Sequence, residues 1–411
     1  MKPFHVKGSI IDLVAFLNLV PRRRKRLRTL STRPLETPYI NVLSGALHPE
    51  AQRFTIDQVI EESPSARTFR LRADSDKGTA RPAYFRAGQY ISIKERVNGL
   101  PVSRAYSIAS APADSRSGFY EITVTRMEGG YLTRHIWENW KEGVSVTTSG
   151  PFGFMYHEPI RDSRRVVGIA GGCGITPFRS MVREMAAGAS DISLCILYGC
   201  NDGSDILYRE EFREYERKMP DRFRVIHVLA RGKGSAEPTG SCETGFITAE
   251  IIKKHTDPSA DSYFLCGPAA MYDFVEKELK TLGVPAKRLR MEAYGEIREP
   301  GRFSDYPRDA LGKNFTVTVR NGGSAMALEA SASESVLTAL ERAGVAPPSV
   351  CRSGECQMCR VFLESGKVWI SPKSDGRRAA DKRNGYIHSC ASFPVSDLTI
   401  ALPRPLQAER G

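Results

Sequence analysis

Histidine is scarce in this chain, seven in 411 residues, and no pair stands at H-x-x-x-H or Glu-x-x-His spacing. Nothing therefore resembles an iron site built to activate oxygen. Long apolar runs are missing too. The segment IIDLVAFLNLV, Ile10 to Val20, is eleven residues long and broken by Asp12 and Asn18, whereas a bilayer-spanning helix needs roughly 20 apolar residues. PRRRKR comes next, where small residues before a cleavage site would stand, which argues against a secretory signal. Nine cysteines in this length do not form the dense, even framework of a small secreted domain. A reducing cytoplasm is expected. No helix-turn-helix or aromatic-rich basic patch is visible, so no nucleic-acid partner is expected.

Apolar residues at 41 % and charged residues at 26 % are those of a folded globular protein, and the length calls for about three domains at ordinary domain size. The net charge is +12, but Arg22, Arg23, Arg24, Lys25, Arg26 and Arg28 supply six of those charges. The basic character is local. As a helix, residues 10–28 would place Ile10, Leu13, Val14 and Leu17 on one side, suiting a membrane surface, a partner groove or packing on the protein itself. Docking on a membrane would make the protein peripheral to the inner face. Residues 1–51 are read as an N-terminal extension.

From about Gln52, runs such as RTFRLRA (Arg67 to Ala73) and YEITVTR (Tyr120 to Arg126) alternate with period two between Gly, Pro and Ser, as in a small antiparallel barrel. From about Arg164 the pattern changes to nearly continuous apolar runs, RVVGIAGG, ISLCILYG, FRVIHVLA and SYFLCGP, separated by helical stretches. Strands buried on both faces and alternating with helices describe a doubly wound parallel sheet. A polar segment with two prolines and two glycines, 296–314, reads as a linker before a last strand, helix and cysteine cluster.

CRSGECQMC places Cys351, Cys356 and Cys359 at C-x4-C-x2-C, and Cys390 stands thirty residues further on. This is the plant-type spacing for a [2Fe-2S] cluster, with four thiolates on two irons. Ser353 and Gly354 allow the loop to bend and aim backbone N–H groups at sulfur. Structural zinc sites show close cysteine pairs instead. Residues 315–403 resemble the plant-type ferredoxin domain, which implies a β-grasp fold with the cluster near the surface.

RAYSIAS, with Arg104, Tyr106 and Ser107, offers an aromatic face for a flavin ring beside donors for a phosphate or for the ring edge. EGGYLTRH runs into a helix whose first amides and Thr133 hydroxyl could receive a pyrophosphate, and GPFG stands at Gly150. Residues 52–160 resemble the flavin-binding barrel of the ferredoxin-NADP reductase superfamily. That resemblance assigns Arg104, Tyr106 and Ser107 to the flavin and Gly130, Leu132 and Thr133 to its phosphates, and the second motif favours FAD over FMN. GIAGGCGITPF sets glycines between a buried strand and a helix, where backbone can approach a pyrophosphate. With FLCGPAAM, residues 161–295 resemble the nicotinamide-binding half of the superfamily. This implies roles at the nucleotide for Gly172, Gly174, Thr176, Cys266, Gly267 and Pro268, and for Tyr294 over the flavin. Phe246 is expected to stack on the adenine. Arg231 and Lys233 could meet a 2'-phosphate, but the residues leave NADH and NADPH both open. Cys173, Cys195, Cys200 and Cys242 are expected to be inert core thiols.

The whole is thus a multidomain chain of barrel, parallel α/β sheet and β-grasp domain. It resembles a reductase component that carries electrons from NADH or NADPH through FAD and a [2Fe-2S] cluster to an external protein such as an oxygenase, hydroxylase or desaturase. No catalytic acid or nucleophile is expected, because the redox chemistry belongs to the cofactors. A freestanding reductase of a small acceptor or of another enzyme's metal cofactor is the alternative, and a redox-sensing binding protein a further one.

Overall fold

The computed structural model describes residues 9–29, 36–231, 242–292 and 295–403. The chain divides into two compact units, 1–44 and 45–411. In the first, α1 (Ile10–Arg28) starts at a reciprocal cap: the Ser9 hydroxyl accepts from the Asp12 amide at 3.2 Å, and the Asp12 carboxylate accepts from the Ser9 amide at 2.8 Å. Lys25, Arg26 and Arg28 in the last turn suit the negative end of the helix dipole. The helix runs through Pro21, and apolar side chains surround its first half instead of forming a stripe: Ile10, Ile11, Leu13, Val14, Phe16 and Leu17 are all exposed. Among the described residues no helix is long and apolar enough to cross a membrane. A second helix, α2 (Tyr39–Leu47), spans the boundary between the units.

The second unit begins with strands β1 (Gln52–Ser63), β2 (Ala66–Ala73), β3 (Tyr90–Val97), β4 (Leu100–Ser107), β5 (Phe119–Thr125) and β6 (Ser145–Phe152). They form an antiparallel sheet in the order β4-β3-β6-β1-β2-β5, closed into a barrel by a bridge between Ile108 and Ile122. Period-two alternation sends Phe54, Ile56, Phe69, Leu71, Ile91, Ile93 and Ile122 inward, where Ile136 and Trp140 of the segment after β5 plug one end. Helices α3 (Pro112–Arg116) and α4 (Tyr131–Asn139) flank β5 in sequence.

The next layer is a parallel sheet in the order β10-β9-β8-β7-β11-β12, from β7 (Arg165–Gly171), β8 (Ser193–Cys200), β9 (Phe223–Leu229), β10 (Cys242–Thr244), β11 (Ser262–Cys266) and β12 (Leu289–Met291). Helices α5 (Thr176–Ala186), α6 (Arg209–Lys218), α7 (Ala249–His255) and α8 (Ala269–Thr281) alternate with the strands. Neighbouring residues serve opposite faces: Val166 and Phe264 join a core with Phe178 and Phe212, while Val167 and Leu265 join one with Ile252 and Val275. Burial on both faces explains the unbroken apolar runs. The strand order reverses between β7 and β11, the place where open α/β sheets leave a crevice at the carboxyl ends of their strands.

Residues 296–314 are short turns packed against the C-terminal domain. Tyr306 is buried, its ring 5.0 Å from Trp369 and its hydroxyl donating to the Ala332 carbonyl at 2.8 Å. That domain is a five-stranded mixed sheet, β14-β13-β19-β15-β17, built from β13 (Asn314–Asn321), β14 (Ser324–Ser331), β15 (Arg360–Ser365), β17 (Tyr386–His388) and β19 (Leu398–Ala401). Beside it lie the pair β16 (Val368–Trp369) and β18 (Phe393–Pro394) and the helix α10 (Ala379–Arg383). Helix α9 (Val336–Arg342), capped by the Ser335 hydroxyl, buries Val336, Ala339 and Leu340 against Val317, Val361 and Ile400, the β-grasp arrangement. The cysteine loop joins α9 to β15.

Candidate functional site

The cysteine loop is held in an unusual backbone path. Arg352 and Gln357 have φ of 58° and 65°, and Gly354 has 87°, so the loop turns through the left-handed region three times in six residues. At Gly354 a Cβ would meet the Ser374 carbonyl oxygen at 2.1 Å, which explains the glycine. The amides of Ser353 and Cys356 point at Cys351 Sγ, at 3.4 and 3.3 Å. The Cys351 sulfur lies beside those of Cys356 and Cys390, and Cys359 Sγ is 3.2 Å from Cys390 Sγ. Among the described residues no three Cys, His, Asp or Glu side chains close around one point as a single metal ion needs. Four sulfurs spread over a chain of contacts suit a cluster of two irons, each taking two thiolates. Ser353 is buried here with its hydroxyl beside the Cys351 sulfur, a further polar group turned to the thiolates. The residues fit a [2Fe-2S] cluster.

Arg352, between two of these cysteines, is only 1 % exposed. Its guanidinium donates to Glu341 at 2.5 Å and to Thr338 at 3.3 Å and is paired with Glu296. Burial pushes the Glu341 carboxyl up, and Arg352 opposes that. The network therefore ties the loop to α9 and to residues 296–314, and Arg104 of the barrel reaches its edge, 3.9 Å from Glu341.

Strand β4 joins the two ends of the site. Register places Tyr106 opposite Ile91 and Arg104 opposite Ile93, so these two share one face, while Ser103, Ala105 and Ser107 share the other. Tyr106 packs on the barrel core. On the opposite face Ser103 Oγ is 2.5 Å from Ser349 Oγ, and Tyr90, Ala105 and Phe152 pack with Val350, Cys351 and Cys356. One strand thus carries the expected flavin residues and a seat for the cysteine loop.

At the start of α4, Gly130 is the N-cap, and a Cβ there would meet Thr133 Oγ1 at 2.2 Å. Thr133 makes only long contacts, 3.4 Å to the Gly130 carbonyl and 3.4 Å from the Met127 amide. Leu132 is buried in the barrel core, so its backbone N–H alone is offered at this end. First-turn amides have no intrahelical acceptor, which leaves them for a phosphate. This arrangement fits the pyrophosphate of a dinucleotide.

Gly172 and Gly174 leave β7 where the strand order reverses, and Gly267 and Pro268 leave the adjacent β11. A Cβ on Gly174 would stand 2.1 Å from the Cys266 carbonyl oxygen, and one on Gly171 2.9 Å from Pro268. The two motifs, ninety residues apart in sequence, form one wall. Thr176 opens α5, its hydroxyl donating to the Cys173 carbonyl at 2.9 Å. Burial pushes the Cys266 thiol up, so it stays protonated and is no nucleophile. Phe246 is 69 % exposed, edge-on to Phe274 at 6.1 Å, with its ring free to stack. Arg231 is exposed beyond β9, near Asp202. Lys233 and Tyr294 lie outside the described residues.

No pattern in the sequence marks Tyr90, Ser103, Ser349, Glu296 or Glu341 as part of this site. Only Arg352 carried a local signal, a charge placed between two expected metal ligands.

Three domain families match the chain in order: the oxidoreductase FAD-binding domain over residues 53–157, the oxidoreductase NAD-binding domain over 169–277, and the 2Fe-2S iron-sulfur cluster binding domain over 319–395. The chain is 26 % identical over 353 residues to the glycine betaine monooxygenase reductase subunit of Chromohalobacter salexigens, covering 84 % of this chain and 93 % of that one. It is 28 % identical over 352 residues to the ferredoxin reductase component of 3-ketosteroid-9-alpha-monooxygenase from Mycobacterium tuberculosis, covering 83 % and 93 %. Among solved structures, phthalate dioxygenase reductase shares the fold with a TM-score of 0.60 at 23 % identity, over 86 % of this chain and 97 % of that one. The cofactors are FAD, a nicotinamide nucleotide and a [2Fe-2S] cluster. With these three domains in this order, the chain belongs to the ferredoxin-NADP reductase superfamily, as a reductase with a C-terminal plant-type [2Fe-2S] ferredoxin domain.

Proposed function

We propose that the chain is the nucleotide-oxidising component of a multicomponent oxygenase, hydroxylase or desaturase, delivering electrons to a separate protein. The observation that carries this reading is the seat of the cysteine loop on β4, with Ser349 and Cys351 behind the strand that bears Arg104 and Tyr106. Held at these sites, a flavin would supply the conversion from the two-electron chemistry of a hydride-donating nucleotide to the one-electron chemistry of the cluster held by the four cysteines.

The chain's own work is positioning. Gly172 and Gly174 let backbone approach the nucleotide pyrophosphate, Thr176 and Cys266–Gly267–Pro268 wall the nicotinamide, and Phe246 offers an adenine platform. Arg231 meets the ribose end. Tyr106 and Ser107 orient the flavin ring, while Arg104, with the start of α4 at Gly130, Leu132 and Thr133, holds its phosphates. The cysteines Cys351, Cys356, Cys359 and Cys390 hold the cluster. Relatives described as reductase components of monooxygenases support a protein acceptor. Turnover with an added oxygenase component should exceed turnover with a ferric chelate. The reverse order would favour a freestanding reductase.

The same reading places the protein in the cytoplasm, with α1 resting on the inner face of the membrane. The apolar half of α1 is about 16 Å long, which is enough to lie in an interface and too short to cross, and each of the six basic residues after it adds about 1 kcal/mol near an anionic surface. Deleting residues 1–30 should abolish flotation with phosphatidylserine vesicles and leave nucleotide-driven flavin bleaching unchanged. Equal flotation of both forms would remove α1 from the account.

A further inference from the structure

The four cysteines face two ways. Cys351 and Cys356 pack with Tyr90 and Phe152 of the barrel, whereas Cys359 and Cys390 pack with Leu337 and Ala391 inside the ferredoxin domain. Beside Cys359 the surface opens. Met358 is 45 % exposed, and β15, which starts at Arg360, turns Arg360 and Phe362 outward two residues apart, Phe362 being 37 % exposed. The Phe362 ring lies 5.4 Å from Tyr386, and the Arg360 guanidinium 3.8 Å over the same Tyr386 ring. Phe362, Tyr386 and the Arg360 stem make one strip that starts a residue past Cys359, and Met358 is exposed on the other side of that cysteine in the chain.

Positive charge frames the strip. Residues 352–383 hold eight Lys and Arg against four Asp and Glu. Asp375 pairs with Arg377 and Lys382, and Asp381 pairs with Arg360. Arg378 and Arg383, at either end of α10, are exposed and carry no ion pair among the described residues. Cations left unpaired beside an exposed apolar strip attract a partner of opposite sign, raising its encounter rate in a way that salt screens.

We propose that this face, Met358 and Phe362 framed by Arg360, Arg378 and Arg383, docks an acidic electron-accepting protein. The assignment rests on the reductase reading above and adds a direction to it. Electrons enter on the side of Cys351 and Cys356, where the loop sits on the flavin barrel, and leave on the side of Cys359. At the docked face one electron passes from the cluster, which is reoxidised, to a one-electron centre of the partner, which is reduced. No bond is made or broken.

The test uses the full holoprotein and two haem proteins of opposite charge, acidic cytochrome b5 and basic cytochrome c. Wild type should reduce cytochrome b5 fastest at low salt, with the rate falling as salt is added. The double variant Arg378→Glu/Arg383→Glu should lose about tenfold in kcat/KM for cytochrome b5 at low salt, lose its salt dependence, and gain rate with cytochrome c. Unchanged cytochrome b5 kinetics, or equal slowing with both proteins, would overturn the assignment. Mixing dithionite-reduced protein with cytochrome b5 gives the same comparison without the nucleotide step. Failure of nucleotide to bleach the wild-type flavin would then count against the reductase reading alone.

Discussion

A Cys390→Ala variant should keep a flavin that nicotinamide nucleotide bleaches normally, yet reduce protein acceptors slower by on the order of 100-fold or more. Cys390 is 1 % exposed and shares the Cys359 end of the cluster, 3.2 Å sulfur to sulfur. Alanine leaves the four-thiolate set that a [2Fe-2S] cluster needs one ligand short. The flavin and nucleotide sites stand on separate cores, the barrel and the parallel sheet, so their chemistry should survive. Iron and sulfide content, visible spectra and acceptor reduction together check this. Cys242→Ala and Cys195→Ala, outside the cluster, should change none of the three readouts. Retained iron in Cys390→Ala, or loss of flavin bleaching with it, would contradict the assignment.

The second large effect lies between barrel and nucleotide domain. Glu121 of β5 is 1 % exposed and receives Arg70 at 2.8 Å, Arg179 at 2.8 Å and Arg183 at 2.7 Å. Arg179 and Arg183 stand on α5, the helix that begins at Thr176, so this carboxylate fixes the nucleotide wall against the flavin barrel. Glu121→Ala removes the one anion that all three guanidiniums share and leaves Arg179, at 8 % side-chain exposure, with Glu211 alone at 2.7 Å. A loss of about 3–5 kcal/mol is expected, as for other broken buried pairs. Burial opposes ionisation of Glu121, but the arginines outweigh it and hold its pKa at about 2 against an ordinary 4.5. A depressed carboxyl stabilises the fold above its unfolded pKa and loses that contribution as pH falls towards the folded value. The difference between wild type and Glu121→Ala should therefore shrink by about 3 kcal/mol from pH 4.5 down to about 2. Denaturant midpoints over that range measure it, and a difference independent of pH would show that Glu121 does not carry the charge balance.

The three domains and their order were legible because their signals are local. Period-two alternation, buried apolar runs and C-x4-C-x2-C spacing each report on neighbours in sequence. What brings the domains together was not legible. Arg352 reads as a surface charge in a polar loop, yet it is buried because Glu296 and Glu341 arrive from other segments. The prolines and glycines of 296–314 suggest a loose connection, but Pro300 and Tyr306 are buried there, Tyr306 against Trp369. Leu132 stands in a motif expected at phosphates while its side chain fills the barrel, since a helix start offers backbone to a ligand and side chains to a core. The seat of Ser349 on Ser103 joins residues 246 apart, a contact that no periodicity encodes.

On this reading flavin and cluster exchange electrons inside one chain, across β4. Anaerobic stopped-flow mixing with NADH, and separately with NADPH, tests it by following the flavin and iron-sulfur bands together at several protein concentrations. Flavin bleaching should come first and iron-sulfur bleaching after it, at a rate independent of protein concentration. Iron-sulfur bleaching that speeds up in proportion to protein concentration, or a flavin that neither nucleotide bleaches, would contradict it.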